Sequence, residues 1–278
     1  MATPDEIFRE RGELAALVRA KDWSQTSLGP PETWSLSLRT VLGLMLSSRY
    51  AMWLGWGPEL LFFYNDAYAS TLGAKHPWAL GRPTREVWAE IWDAIGPRID
   101  HVIATREATW DEGLLLFLER SGYAEETYHT FSYSPLRADD GGVGGMFCVV
   151  TEETEKVIGA RRVALLGEFA SALSLTKTAA EVLHAMEQCL ARDGRDIPFS
   201  LTYLFDEGPT QALLSSRTGI RDDDDGSAPR AVPLGAEEAP WALDAILTDL
   251  RSVDVAKGAD REWPAGPWSK PCARALVG

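Results

Sequence analysis

Apolar residues recur at helical intervals over the first 50 positions. Residues 5–21 alternate charged side chains with apolar ones three and four positions apart, until a Gly-Pro-Pro sequence interrupts the pattern. Thr33 is placed to cap a second helix, whose apolar stripe extends from Leu36 to Met45. We therefore expect a helical N-terminal extension over residues 1–48.

Between residues 49 and 154 the pattern changes to short apolar runs. Two of them, 51–56 and 60–64, flank a Gly-Pro turn and predict a β-hairpin, after which Asn65 is placed to cap a short helix. Segments broken by Gly and Pro predict several short helices over residues 75–107. Three further runs predict strands, at 109–120, 127–137 and 143–151. This order predicts an α+β domain with one five-stranded antiparallel sheet and short helices across one face.

Helical spacing returns after residue 152. Four apolar residues near the a and d positions of a heptad form one stripe, made of Ile158, Leu165, Phe169 and Ala172. We expect a helical linker over residues 155–175, and this stripe is the surface through which two copies of the chain would pair.

The last hundred residues predict a second α+β region. A helix is expected at 179–190 and strands at 200–205 and 212–216, whereas the four aspartates within 221–226 predict a solvated loop. Residues 274–278 have the pattern of a strand that is just beginning. Because these elements are too few to close a core, we expect residues 176–278 to be an incomplete domain and the protein to continue beyond them.

Charge and cysteine content narrow the function classes. The 278 residues carry a formal net charge of −14, which argues against binding to nucleic acid or to an anionic membrane surface. No stretch approaches the roughly 20 apolar residues of a membrane helix, and the N-terminus lacks a signal-peptide core. Cys148, Cys189 and Cys272 lie far apart with no CxxC spacing, as expected of reduced thiols in the cytoplasm and not of a metal site.

Two motifs carry a family resemblance. Residues 59–73, ELLFFYNDAYASTLG, resemble the PAS-domain pattern of a strand, an Asn, an aromatic residue and a Gly. Residues 150–156, VTEETEK, resemble the Asp-Ile-Thr-Glu-Arg signature that joins a PAS domain to its output helix. Glu152 and Thr154 take the Asp and Thr places, which the resemblance implies are the signal-transfer junction. Glu in place of Asp leaves open whether the salt bridge usual at that position forms.

Longer stretches resemble one PAS subfamily. Residues 23–39 and 117–136 are similar to the PAS domain at the N-terminus of bacterial hybrid sensor histidine kinases, and residues 165–205 resemble the start of the GAF domain that follows it. The resemblance implies a PAS domain at 49–154 and a partial GAF domain at 176–278.

The implied function is cytoplasmic sensory input to a two-component histidine kinase. The signal would be a small molecule, a redox change or light, and the partners would be a second copy, a kinase core outside this chain and a response regulator. The alternative is a PAS module that binds no ligand and serves dimerisation or protein docking.

No catalytic residues are identified in the sequence. None of the four histidines is followed by Glu or Asp, as a phosphoacceptor would be, and His129 lies in a predicted strand where a cross-strand contact is expected. The Gly-rich residues 141–145 precede a strand and not a helix, so they predict a hairpin turn instead of a phosphate-binding loop. We therefore expect no enzymatic activity from this chain.

The resembled fold implies a ligand pocket on the concave side of the sheet. Its candidate lining residues, which could equally be simple core, are Phe63, Tyr68, Trp88, Trp92, Trp110 and Phe117. No cofactor is required by the sequence. A photoactive flavin site would need a Cys between Pro83 and Glu107, where there is none. A haem would need an imidazole ligand from the long helix before the third strand, for which His101 is the candidate.

Overall fold

The computed structural model describes most of the chain and divides it into two compact units, Met1–Val157 and Ile158–Gly278. The described residues are 11–192, 194–205, 210–220, 228–233, 251–254, 263–268, 272 and 274–277. Within these ranges, no helix has both the length and the apolar character needed to cross a bilayer.

The first unit follows the predicted order of elements. Its helices are α1 (Glu13–Ala20), α2 (Leu36–Ser47), α3 (Ala69–Leu72), α4 (Thr84–Val87) and α5 (Trp92–Thr105). Its strands are β1 (Met52–Trp56), β2 (Leu61–Tyr64), β3 (Thr109–Leu118), β4 (Glu125–Arg137) and β5 (Val143–Glu152). Single 3₁₀ turns at Pro31–Thr33, Asp66–Tyr68, Gly73–Lys75 and Ala89–Ile91 connect the short helices.

The five strands form one sheet in the order β2-β1-β5-β4-β3. Every neighbouring pair is antiparallel, so the predicted five-stranded antiparallel sheet is confirmed. The register places Trp53 opposite Tyr64 on one side and opposite Cys148 on the other. Directly paired residues of neighbouring strands project to the same face, so Trp53, Tyr64 and Cys148 share one face, which we call the inner face. Successive residues of a strand alternate between this face and the other, outer face.

The N-terminal extension covers part of the other, outer face. Phe63, which points away from the inner face, stacks on Trp23 with ring centroids 4.9 Å apart and meets Trp34 edge to face at 5.6 Å. Leu38 and Leu42 of α2 are buried in the same core cluster. The N-terminal extension therefore packs against the outer face of the sheet through Trp23 and Trp34.

Ser35 and not Thr33 caps helix α2. The Ser35 side chain accepts a hydrogen bond from the Leu38 amide at 3.2 Å, whereas the Thr33 hydroxyl donates to the Pro30 carbonyl within its 3₁₀ turn. Asp139, in the turn between β4 and β5, accepts from the amides of Leu36 and Ser37, both at 3.0 Å. The free amides of the first helical turn are thereby satisfied, and the helix is fastened to the sheet.

The second unit is described in parts. Helix α6 (Thr154–Leu173) begins in the first unit and continues into the second, and α7 (Ala179–Leu190) starts with a capping box of Thr178 and Glu181. Three strands form an antiparallel sheet: β6 (Ser200–Phe205), β7 (Gln211–Thr218) and β8 (Ala231–Pro233). Strands β9 (Arg251–Asp254) and β10 (Arg274–Val277) pair with each other. The predicted acidic loop at 221–226 lies outside the described residues.

Helix α6 presents the predicted heptad stripe as its less exposed side. Ile158, Leu165, Phe169 and Ala172 are half-buried, whereas Val163 and other apolar residues between them are exposed. Pairing of two copies through this stripe stays a prediction.

Candidate functional site: the core cavity and the strand–helix junction

A small cavity lies in the core of the first unit, against the inner face of the sheet. Its volume is about 30 Å³, which gives room for one or two water molecules. Most of its wall is aromatic or aliphatic, and the polar side chains that line it are Tyr68, Thr71, His129, Tyr133 and Cys148. The cavity is therefore a mainly apolar space with a few hydrogen-bonding groups.

Two of the six predicted lining residues, Tyr68 and Trp88, line this cavity. The other four lie away from it, which corrects the predicted lining at those positions. Phe63 is on the outer face for the reason given above. Trp110 pairs with Ser132 on that face and is 66% exposed.

Phe117 and Trp92 are displaced from the cavity for different reasons. Phe117 is paired with Glu126 on the outer face, because the inward positions of β3 are taken by Leu116 and Leu118. Trp92 is half-buried at the start of α5, and the Arg85 guanidinium carbon lies 5.7 Å from the centroid of its ring. Whether the cavity binds a ligand stays a prediction.

The described geometry does not fit a haem or a flavin. His101 is on the exposed side of α5, whereas its neighbours Ile99 and Val102 face the core. A space of about 30 Å³ also has no room for a macrocycle or a tricyclic ring. We therefore assign His101 no role as a ligand.

His129, for which the sequence predicted only a cross-strand contact, is among the residues that line the cavity. It is 3% exposed, and its Nε2 atom is buried with no hydrogen-bond partner among the described residues. Alternation along β4 could have revealed it, since His129, Phe131 and Tyr133 occupy every second position and so share the inner face.

Burial determines the charge state of His129. Desolvation lowers its pKa to about 4, with the Glu152 carboxylate opposing this shift and the Arg120 guanidinium adding to it. The imidazole is therefore neutral at neutral pH. Burial likewise raises the pKa of Tyr68, Tyr133 and Cys148, so these groups also line the cavity in their uncharged forms.

The stability of the first unit should fall as the pH drops from 6.5 to 4.5. In this window the histidine is protonated in the unfolded state but not in the folded state. Protonation therefore stabilises the unfolded state and lowers the free energy of unfolding. The full effect, reached near pH 4, is about 3 kcal/mol. Urea denaturation at several pH values should show a weaker pH dependence in His129→Phe than in the original chain.

The exposed residue His101 provides the matched control, and His101→Gln should keep the original pH dependence. Glu152, whose pKa is lowered, contributes stability that is lost only below about pH 4.5, outside this window. An unchanged slope in His129→Phe would show that His129 titrates normally and is not desolvated.

The junction between β5 and α6 is held by a network of ion pairs. Arg120 donates from Nη1 and Nη2 to the two carboxylate oxygens of Glu152 at 2.8 and 2.9 Å, and from Nε to Glu125 at 3.0 Å. The Thr154 hydroxyl donates to Glu152 at 2.9 Å. Burial raises the pKa of Glu152, but the bonds from Arg120 and Thr154 outweigh it and lower the pKa overall. Glu152 thus forms the salt bridge that the sequence left open.

Strand β4 holds the same junction through its backbone. The Tyr128 amide donates to the Thr154 hydroxyl oxygen at 3.0 Å, and the Tyr128 carbonyl accepts from the Glu153 amide at 2.8 Å. The Thr130 hydroxyl donates to the Glu153 carboxylate. His129, which lies between Tyr128 and Thr130, therefore connects the cavity wall to the residues that begin α6.

Comparison with known proteins gives a family for this region. Residues 61–158 match the family model described as the PAS fold, and no curated protein matches the chain. A solved PAS domain from Colwellia psychrerythraea is 10% identical, with a TM-score of 0.34. The match covers 42% of this chain and 98% of the Colwellia chain.

Two further solved structures are similar. A sensory box sensor histidine kinase from Vibrio cholerae is 17% identical, with a TM-score of 0.31, over 41% of this chain and 89% of its own. The PAS domain of Bordetella pertussis BvgS is 19% identical, with a TM-score of 0.32, over 47% of this chain and 97% of its own. On the family match and the strand order, residues 61–158 of this chain form a PAS domain.

Proposed function

We propose that this chain is the cytoplasmic sensory input region of a bacterial two-component histidine kinase. The PAS domain detects a small-molecule, redox or light signal, and helix α6 passes it towards a kinase core that is not in this chain. The second unit is the beginning of a GAF domain, and the active form is a homodimer whose kinase core transfers phosphate to a response regulator.

The observation that carries this proposal is the continuity between the cavity and α6. Only Glu153 separates the end of β5 from the start of α6. The side chains of Glu152 and Thr154 are bonded to Arg120 and to the backbone of β4, next to the cavity residue His129. A small displacement of β4 therefore changes the bonds that orient the first turn of α6.

The alternative, a module for docking or dimerisation without a ligand, has its own support. The cavity is small, and the outer face of β3 exposes 66% of Trp110. The two alternatives make different predictions for the junction between β5 and α6. In a docking module the ion pairs of the junction do not respond to what the cavity binds, and changing them does not change any output.

A kinase fusion tests the proposal. Residues 1–173 would be joined in helical register to the dimerisation and catalytic domains of a histidine kinase, and autophosphorylation would be measured. Glu152→Gln, which removes the charge that Arg120 binds, should change the rate about 5-fold or more, a coupling typical of regulated pairs of sites. The chain alone, residues 1–278, should incorporate no phosphate.

Glu155→Gln is the matched control, since Glu155 lies exposed in the first turn of α6, three residues after Glu152, and has the same charge. Its rate should stay within about twofold of the unmodified fusion, since an exposed charge contributes little. Equal rates in both variants, with melting temperatures unchanged, would reject signal transfer through the junction and favour the docking alternative.

A further inference from the structure

An open groove, separate from the core cavity, lies at the β2 edge of the sheet between helix α1 and residues 77–82. The Gly81 amide donates to the Phe62 carbonyl of β2 at 2.8 Å, and the Phe62 amide donates to the Arg82 carbonyl at 2.8 Å. The groove has a volume of about 400 Å³, which is within the range of binding sites for small organic molecules. It shares no lining residue with the core cavity.

Most of the groove wall is apolar. Leu17 and Ala20 come from α1, and Pro77, Trp78 and Leu80 come from the segment that faces it. Trp78 exposes 47% of its surface, so a ligand that covers its ring would remove a large apolar area from water. The wall therefore suits a ligand with an apolar group of about the size of a ring.

Two cations complete the wall, and aromatic rings hold them in place. The Arg82 guanidinium carbon lies 5.0 Å from the centroid of the Trp78 ring, and the Lys21 ammonium lies 5.5 Å from that of Trp23. Lys21 also passes close to Gly81, where an added Cβ atom would lie 2.6 Å from the Lys21 Cε atom. A cation–π contact positions a charge without neutralising it.

Both cations keep their hydrogen-bonding capacity. Glu86 lies 3.8 Å from the Arg82 guanidinium, which is too far for a hydrogen bond, and Asp22 beside Lys21 accepts instead from the Ser24 hydroxyl at 2.6 Å. Within the ranges that the structure describes, no hydrogen bond leaves the side chain of Arg82 or Lys21, although the chain has 41 acidic and 27 basic residues. These donors are therefore available to an anion from outside.

The acidic residues near the two cations do not enter this groove. Asp22, Glu59 and Glu86 line a neighbouring groove that shares Lys21 and Arg82, whereas the lining of the apolar groove contains no carboxylate. An anion in the apolar groove would therefore meet two positive charges next to an apolar wall.

We propose that this groove binds a small organic carboxylate, with the carboxylate on Arg82 and Lys21 and an apolar ring against Trp78 and Leu80. A guanidinium presents parallel N–H donors that match the two oxygens of a carboxylate. Because Glu86 offsets part of the charge of Arg82, the site favours a single negative charge over a multiply charged anion. The site is independent of the proposed function.

Occupancy would add an attachment between α1 and the rest of the first unit. Polar contacts already hold the start of α1, where the Leu14 amide donates to Asp66 at 2.7 Å and Glu13 meets the His76 imidazole at 3.2 Å. A ligand that contacts α1 and residues 77–82 together binds only the folded unit, so it should raise the unfolding midpoint of that unit.

The test uses the full chain, residues 1–278, labelled with ¹⁵N, and three probes. 3-Phenylpropanoate has the carboxylate and the ring, 3-phenylpropanamide has nearly the same shape without the charge, and acetate has the charge without the ring. The indole N–H of Trp78 and the amide of Leu80 report the groove, and the amide of Val150 reports the core cavity.

We expect 3-phenylpropanoate to shift the signals of Trp78 and Leu80 saturably and to leave that of Val150 unchanged. It should bind about tenfold more tightly than the amide, which is the lower end for a charge-assisted hydrogen bond because the Arg82 side chain is 49% exposed. Acetate cannot cover Trp78 and should bind more weakly than 3-phenylpropanoate by a similar factor.

Variants make the test specific. The double variant Lys21→Gln/Arg82→Gln should bring 3-phenylpropanoate to within about twofold of the amide, and Trp78→Ala should weaken both phenyl compounds alike. Arg85→Gln is the matched control, because it removes the same charge from an exposed residue that does not line the groove, and it should keep the tenfold preference.

Three results would overturn the inference. They are equal affinities of the original chain for the acid and the amide, a loss in Arg85→Gln as large as in the double variant, and the absence of saturable shifts at Trp78 and Leu80. A shift of Val150 without one of Trp78 would likewise place the ligand in the core cavity and reject the groove.

Discussion

Replacing Asn65 with leucine should lower the free energy of unfolding of the first unit by about 4 kcal/mol, since several buried polar groups lose their partner at once. Asn65 is fully buried, directly after β2. Its side-chain oxygen accepts from two amides and its nitrogen donates to three carbonyls, and the five partner residues are Met45, Ser48, Tyr50, Met52 and Tyr68. Leucine has a similar volume, so the loss comes from hydrogen bonding and not from a cavity.

Ser35→Ala is the control for Asn65→Leu, because it removes a single hydrogen bond instead of several. It removes one capping hydrogen bond from α2 and should cost about 1 kcal/mol. The measurement is urea denaturation of the full chain, in which the unfolding transition of the first unit is followed separately from that of the second unit. A loss in Asn65→Leu no larger than that in Ser35→Ala would mean that the backbone groups around Asn65 find other partners.

Trp88→Ala should destabilise the same unit by about 3 to 5 kcal/mol, the usual cost of deleting a large buried aromatic side chain. Trp88 is 2% exposed and lines the core cavity. Its ring meets those of Phe62 and Tyr68 edge to face, and the Lys75 ammonium lies 4.3 Å from its centroid. Deleting it therefore removes packing, ring contacts and a cation–π interaction together.

Trp110→Ala is the matched control, because the same chemical change is made at a residue that is 66% exposed. It should change the unfolding free energy by about 0.5 kcal/mol or less. Both tryptophans were candidates for the same pocket, so a similar cost at the two positions would contradict the placement of Trp110 on the outer face.

Local sequence determined the elements and their order. The change from helical spacing to short apolar runs around a Gly-Pro turn located the hairpin of β1 and β2. The bounds of α7 and β6 are as expected, because periodicity and caps act over a few residues. Asn65 was identified as a helix cap, and its oxygen does accept from the Tyr68 amide. The junction at Glu152 and Thr154 was likewise evident from a short motif.

Tertiary structure decided which of these side chains meet. Phe62 and Phe63 are adjacent aromatic residues, yet one faces the core cavity side of the sheet and the other faces Trp23, because the pairing register assigns faces. The partners of Asn65 in α2 and β1, the salt bridge of Arg120 with Glu152 and the burial of His129 all join segments distant in the chain. A local pattern contains no information on such distances. The sequence by itself therefore determined that the chain has a PAS domain with a junction to a helix. Only the packed sheet showed that His129 lies beside the cavity and that the predicted tryptophans Trp92 and Trp110 do not. The reason is that burial and contact partners are fixed only when the strands come together.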